Sequence, residues 1–99
     1  HVMDLADAHS SALNYLSKNK TQIVDINIGT GKGTSVLELV EKFSEVNNCK
    51  VPYVFCERRL GDIPNVVADN NKAITILNWF PKKSLEEMCE DGWRWQINN

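Results

Sequence analysis

The sequence predicts a single α/β domain over residues 1–99, with about four helices and two to three short strands. Two Ser-x-x-Glu patterns, at residues 35–38 and 84–87, are typical capping boxes and mark helix starts. Two segments rich in β-branched residues, 22–29 and 51–56, are typical of strands. A chain of 99 residues is long enough for one domain and too short for two of ordinary size.

In chain order, the first half is expected to form a helix, a strand and a second helix. Apolar residues at helical spacing predict the first helix over residues 3–18. Alternating isoleucine and valine predict the strand over 22–29. The second helix is predicted to start at Ser35 and to end at the asparagine pair 47–48.

The second half is expected to form a strand over 51–56, then a short helix over 70–77 with Asp69 as its cap. Trp79 follows and is predicted to pack in a turn, because a large aromatic side chain favours burial. The second capping box, at 84–87, opens the closing helix.

Composition excludes several classes of protein. The chain is 42% apolar and has a formal net charge of −2 with interspersed acids and bases, so neither nucleic acid nor a membrane surface is an expected partner. No apolar run approaches the roughly 20 residues that span a bilayer. Three cysteines, Cys49, Cys56 and Cys89, lack metal-ligand spacing and indicate reduced thiols in the cytoplasm. Cys56 and Cys89 are expected to be buried packing residues.

The loop after the second predicted strand carries the candidate chemistry. It contains Arg58 and Arg59, then Gly61 and Asp62. An arginine fork grips phosphate oxygens in pairs, glycine allows a tight turn, and a carboxylate accepts hydrogen bonds from sugar hydroxyls. These residue types predict a site for a phosphorylated ribose.

A glycine-rich run at residues 29–33 is a weaker candidate. The dinucleotide fingerprint needs a third glycine where the chain has Thr34, and the phosphate-loop pattern needs Ser or Thr where it has Gly33. We interpret this run as a turn that leads into a helix rather than as a phosphate cradle.

Further segments, in their order and spacing, resemble the C-terminal part of the UDP-hexose 4-epimerases, which are extended short-chain dehydrogenase/reductases. The resemblance covers the whole chain and rests most on His-Val-Met-Asp-Leu-Ala at 1–6, Leu-Asn-Trp-x-Pro at 77–81 and Ser-Leu-Glu-Glu at 84–87. It implies a small C-terminal substrate domain that lacks the Rossmann half, with UDP-hexose as ligand. A start at His1 rather than Met is expected of a truncated piece or a tag remnant.

The resemblance also implies roles for residues in the loop. Arg59 matches the arginine that contacts the UDP diphosphate, and Asp62 matches the acid that hydrogen-bonds the uridine ribose. Val66 falls where bulk limits the sugar pocket, so a small residue there leaves room for N-acetylated sugars. Arg58 is assigned to the surface.

Two parts of such an enzyme are absent from the sequence. There is no NAD fingerprint, and no Tyr-x-x-x-Lys pair, since Tyr15 and Tyr53 are followed four residues later by Asn19 and Glu57. NAD is therefore expected in the parent enzyme and not on this chain, which is predicted to be inactive alone.

Two alternatives stay open. One is an orphan, non-catalytic domain that binds nucleotide weakly or associates with itself through an exposed apolar face. The other is part of a related nucleotide-sugar epimerase or dehydratase.

Overall fold

The computed structural model describes all residues from 1 to 99 and contains four α-helices. They are α1 (Val2–Lys18), α2 (Val36–Val46), α3 (Asn71–Leu77) and α4 (Leu85–Asn98). The chain groups into two compact units. The first unit comprises His1–Gly33 and Val67–Lys83, and the second comprises Thr34–Val66 and Ser84–Asn99. The single-domain assignment stays a prediction.

The prediction of two to three strands is wrong, and with it the α/β class. No residue of the chain lies in a strand. The two β-branched segments, 22–29 and 51–56, are irregular backbone, and no backbone–backbone hydrogen bond joins either one to another part of the chain. A strand requires a ladder of hydrogen bonds to a neighbour, whereas composition reports only how well side chains suit a pleated surface. The chain is therefore an assembly of four helices and irregular segments.

The predicted helices are confirmed, because their signals are local. The Ser35 hydroxyl accepts the Glu38 amide at 3.1 Å, and Glu38 accepts the Ser35 amide at 2.7 Å, which completes the capping box of α2. The same reciprocal pair opens α4. The start of α3 differs by one residue: its N-cap is Asn70, while the Asp69 carboxylate accepts the Asn71 amide at 3.0 Å.

The first unit has a small apolar core between α1 and α3. Three residues are buried in it, Ala8, Ala73 and Trp79, and three more pack against them, Ile26, Ile28 and Leu77. Trp79 is 4% exposed, which confirms that its side chain is packed as predicted. Its indole Nε1 donates to the Asp4 carbonyl at 2.9 Å, so the buried ring is satisfied as well as packed.

Asp4 is the buried charged residue of the chain, at 5% exposure. One carboxylate oxygen accepts the Lys82 amide at 3.2 Å and the other accepts the Lys83 amide at 3.1 Å. A charge can be buried when it is fully hydrogen-bonded. Its place in the first turn of α1 adds a favourable interaction with the helix dipole.

In the second unit, α2 packs against α4. The rings of Phe43 and Trp93 meet edge to face, with centroids 5.7 Å apart and planes at 84°. The Asn47 side chain at the end of α2 donates to the Cys89 carbonyl of α4 at 3.2 Å. Aromatic contact and hydrogen bond together fix how these two helices meet.

An ion-pair network also joins these helices. The Lys42 ammonium lies 2.8 Å from the Glu45 carboxylate and 3.4 Å from that of Glu86. The hydrogen bond to Glu45, with the one to Glu86, raises the pKa of Lys42 above its ordinary value. Hydrogen bonds from its own backbone amide, then from Ser84 and Lys42, lower the pKa of Glu86. Both shifts favour the charged forms, so the pair is ionised at neutral pH.

Replacing Asp4 tests its role. We expect Asp4→Ala to lower the free energy of unfolding by about 2–3 kcal/mol, because two part-buried amides lose a charged acceptor. Asp7→Ala on the same helix is the matched control, since Asp7 is exposed and only pairs with the Lys82 ammonium at 3.3 Å. That loss should stay below about 1 kcal/mol. Equal losses in urea unfolding would contradict the assignment.

Candidate functional site

The candidate loop contains a tight turn over residues 59–62 in the second unit. The Asp62 amide donates to the Arg59 carbonyl at 3.2 Å, which closes the turn. Gly61 has a φ of 89°, the left-handed value that the third position of a type II turn requires. Glycine takes this conformation without steric cost, so the local sequence explains why the chain turns here.

The turn brings Arg59 and Asp62 together. The guanidinium Nε donates to the Asp62 Oδ2 at 3.1 Å. The Arg59 side chain is 86% exposed, and its two terminal nitrogens make no hydrogen bond within the chain. An exposed fork of donors beside a carboxylate can bind a phosphate group and a hydroxyl at the same time.

Three other residues in and after the loop, Arg58, Leu60 and Val66, are exposed. The exposure of Arg58 agrees with its assignment to the surface. Val66 lies in irregular backbone and is 77% exposed, and Leu60 at the tip of the turn is fully exposed. The structure therefore unites Arg59 with Asp62 and leaves the role of Val66 a prediction.

The glycine-rich run is held by a contact that sequence reasoning missed. The Asn70 side chain donates to the Gly29 carbonyl at 2.9 Å, and its amide group lies 3.0–3.3 Å from where a Cβ on Gly31 would sit. The Thr30 hydroxyl accepts the Lys32 amide at 3.2 Å. The loop is thus closed by its own side chains and by Asn70. No sequence signal connects residues 41 positions apart.

Two concave surfaces lie elsewhere in the chain. A cavity of about 330 Å³ in the first unit is lined mainly by His1, Val2, Leu5, Ile28, Trp79 and Pro81. An apolar groove of about 360 Å³ in the second unit is lined by Leu39, Val40, Phe43, Val51, Met88 and Cys89. Neither includes Arg59 or Asp62, so neither belongs to the turn.

The cysteines divide between two environments. Cys89 is buried as predicted, and desolvation raises the pKa of its thiol, which keeps it protonated. The same prediction is wrong for Cys56, which is exposed. No group of three or more His, Cys, Asp or Glu residues could hold a metal ion. None of the helices has the length and apolar character needed to cross a membrane.

The requirement for a positive φ at Gly61 can be tested. A Cβ there would meet nothing within 4 Å, so Gly61→Ala changes only the backbone preference. We expect a loss of about 1 kcal/mol in the free energy of unfolding, because alanine disfavours positive φ. Gly92→Ala in α4 is the matched control, also in open space, and should gain about 0.5–1 kcal/mol from helix propensity. A neutral Gly61→Ala variant would show that the left-handed turn is not required.

Known proteins support the resemblance seen in the sequence. A UDP-glucose 4-epimerase from Bacillus subtilis is 50% identical over all 99 residues, which span 29% of its length. A bifunctional UDP-glucose 4-epimerase and UDP-xylose 4-epimerase from Arabidopsis thaliana is 47% identical, with 28% of its length covered. The crystal structure of UDP-glucose 4-epimerase from Bifidobacterium longum in complex with NAD+ and UDP matches the whole chain with a TM-score of 0.91, at 33% identity and over 29% of its own length.

No family model matches the chain. The relatives cover every residue of the chain, whereas the chain spans under a third of each relative. The chain therefore matches the C-terminal part of the UDP-glucose 4-epimerases, which confirms the resemblance.

Proposed function

We propose that this chain is the UDP-binding part of a UDP-sugar 4-epimerase. Arg59 contacts the diphosphate, and Asp62 accepts a hydrogen bond from a hydroxyl of the uridine ribose. The observation that carries the proposal is the turn that places the exposed guanidinium of Arg59 3.1 Å from the carboxylate of Asp62. The similarity of the chain to UDP-glucose 4-epimerases supports the same function. The likeness to a structure solved with UDP adds support.

The site chemistry explains what this part contributes. Arg59 stays charged at any working pH, and its planar donors match phosphate oxygens in pairs. Binding energy gathered at the nucleotide, far from the reacting sugar carbon, is used to position that carbon. The chain holds UDP while the sugar rotates between two orientations.

This chain does not supply the cofactor site or the acid/base group. NAD, when bound to the parent enzyme, accepts and returns a hydride. The residues here do not fit it, because the dinucleotide fingerprint needs a third glycine where the chain has Thr34, and the Asn70 side chain fills the space beside Gly31. No Tyr-x-x-x-Lys pair is present. We infer that the chain is inactive alone and acts in the cytoplasm as part of a longer enzyme.

Exposed apolar side chains support a covering partner. In the second unit, Val54 is 82% exposed, Phe55 85% and Ile63 70%. Large exposed apolar patches mark interaction sites. We propose that the N-terminal half of the parent enzyme covers it. Self-association is the alternative. It would be favoured if the mass of the full-length protein in solution rose with concentration and if Phe55→Ser lowered that mass.

Turnover of the full-length protein distinguishes the remaining alternatives. Conversion of UDP-glucose into UDP-galactose, followed by chromatography of the sugars, would establish the epimerase. A 4-keto-6-deoxy product would identify a dehydratase instead. The absence of any turnover would leave an orphan binding domain.

We expect Arg59→Ala in the full-length protein to weaken UDP binding by about 1.5–3 kcal/mol, the scale of hydrogen bonds to a charged group. Arg58→Ala is the matched control, because it removes the same charge one residue away and should leave affinity nearly unchanged. Calorimetric titration with UDP measures both. Unchanged affinity in Arg59→Ala, or equal losses in both variants, would remove Arg59 from the site.

Val66 is proposed to set the size of the sugar pocket. We expect Val66→Tyr to reduce kcat/KM for UDP-N-acetylglucosamine at least about fivefold, because overpacking costs about 1–3 kcal/mol. Turnover of UDP-glucose should change far less. Val67→Tyr at the next position is the control, and a parallel loss of both substrates in Val66→Tyr would exclude a selective role.

A further inference from the structure

We propose that Asp62 is a positioning residue for Arg59, and that its carboxylate fixes which edge of the guanidinium faces the phosphates. This inference rests on the proposed UDP site. It gives Asp62 a role that does not depend on the ribose.

The two edges of the guanidinium have different roles in this geometry. The Asp62 Oδ2 accepts a hydrogen bond from the Arg59 Nε, with the two atoms 3.1 Å apart. This bond involves the nitrogen of the guanidinium that is nearest the backbone. The two terminal nitrogens lie on the far edge and have no partner within the chain. Those nitrogens form the fork that matches two phosphate oxygens.

The backbone makes this arrangement reproducible. The hydrogen bond between the Asp62 amide and the Arg59 carbonyl joins the same two residues whose side chains are paired. Gly61, with a φ of 89°, sets the turn between them. An arginine that is 86% exposed otherwise samples many rotamers, so a fixed anchor at Nε reduces the freedom it loses when phosphate binds.

The two roles of Asp62 are compatible, because they use different oxygens. Oδ2 is bonded to Arg59, and Oδ1 makes no hydrogen bond within the chain. Oδ1 is therefore available for a ribose hydroxyl. A test must remove the ribose contribution and must also cancel the charge of Asp62, which repels phosphate.

A pair of neutral variants meets both requirements. Asp62→Asn keeps an oxygen that can accept the Nε hydrogen, whereas Asp62→Ala keeps none. The probe is 2′,3′-dideoxyuridine 5′-diphosphate, which carries the diphosphate and no ribose hydroxyl. Affinities are measured by calorimetry on the full-length protein, in backgrounds with Arg59 and with Arg59→Ala.

We expect Asp62→Ala to bind this probe about fivefold more weakly than Asp62→Asn, the scale of one net hydrogen bond. In the Arg59→Ala background the two variants should bind equally, because the residue to be positioned is gone. Unchanged melting temperatures confirm that both variants fold.

Equal affinities of the two variants with Arg59 present would overturn the positioning role, as would a difference that persists in Arg59→Ala. If Arg59→Ala alone leaves the affinity unchanged, the UDP site itself is wrong, and the inference fails with it. Loss of affinity in Arg59→Ala together with equal Asn and Ala variants would leave the UDP site intact and exclude only the positioning.

Discussion

The structure of the first unit depends on the buried carboxylate of Asp4. The backbone amides of Lys82 and Lys83 donate to the carboxylate oxygens of Asp4. The indole of Trp79 donates to the backbone carbonyl of Asp4. One residue in the first turn of α1 thus holds a segment that lies more than seventy positions away in the chain. Because few apolar residues are buried, these hydrogen bonds add to the packing of Trp79 with Ala8 and Ala73.

The sequence predicts the helices and fails on the strands for one physical reason. A capping box is closed by residues three positions apart, so Ser35 and Glu38 are sufficient to locate the start of α2. A strand depends on a neighbour whose position no local pattern encodes. The β-branched segments 22–29 and 51–56 satisfy the compositional rule and still make no ladder. The same limit applies to Cys56: the general tendency of cysteine to be buried predicts a packing residue, and the structure exposes it.

In the candidate site, too, local features could be predicted from the sequence and contacts between side chains could not. The turn over 59–62 follows from glycine chemistry and could be predicted from the residues alone, but the contact from Arg59 Nε to Asp62 could not, because sequence gives no rotamer. The sequence does not indicate the structural roles of Asp4 and Asn70. Their partners lie on distant segments, and the only trace in the sequence is an acid placed between the apolar Met3 and Leu5.

The exposure of Arg59 sets a limit on what the turn can do by itself. An ion pair with one side chain 86% exposed contributes at most about 1 kcal/mol, since water screens both charges. A phosphate that meets the same guanidinium in open solvent gains little more. The strength of the proposed nucleotide contact must therefore come from surroundings that exclude water. The chain spans 29% of the enzymes it resembles and leaves Phe55 and Ile63 uncovered. Under the proposed function, the same partner that covers this apolar surface would lower the dielectric around Arg59, so packing and affinity would arise from one contact.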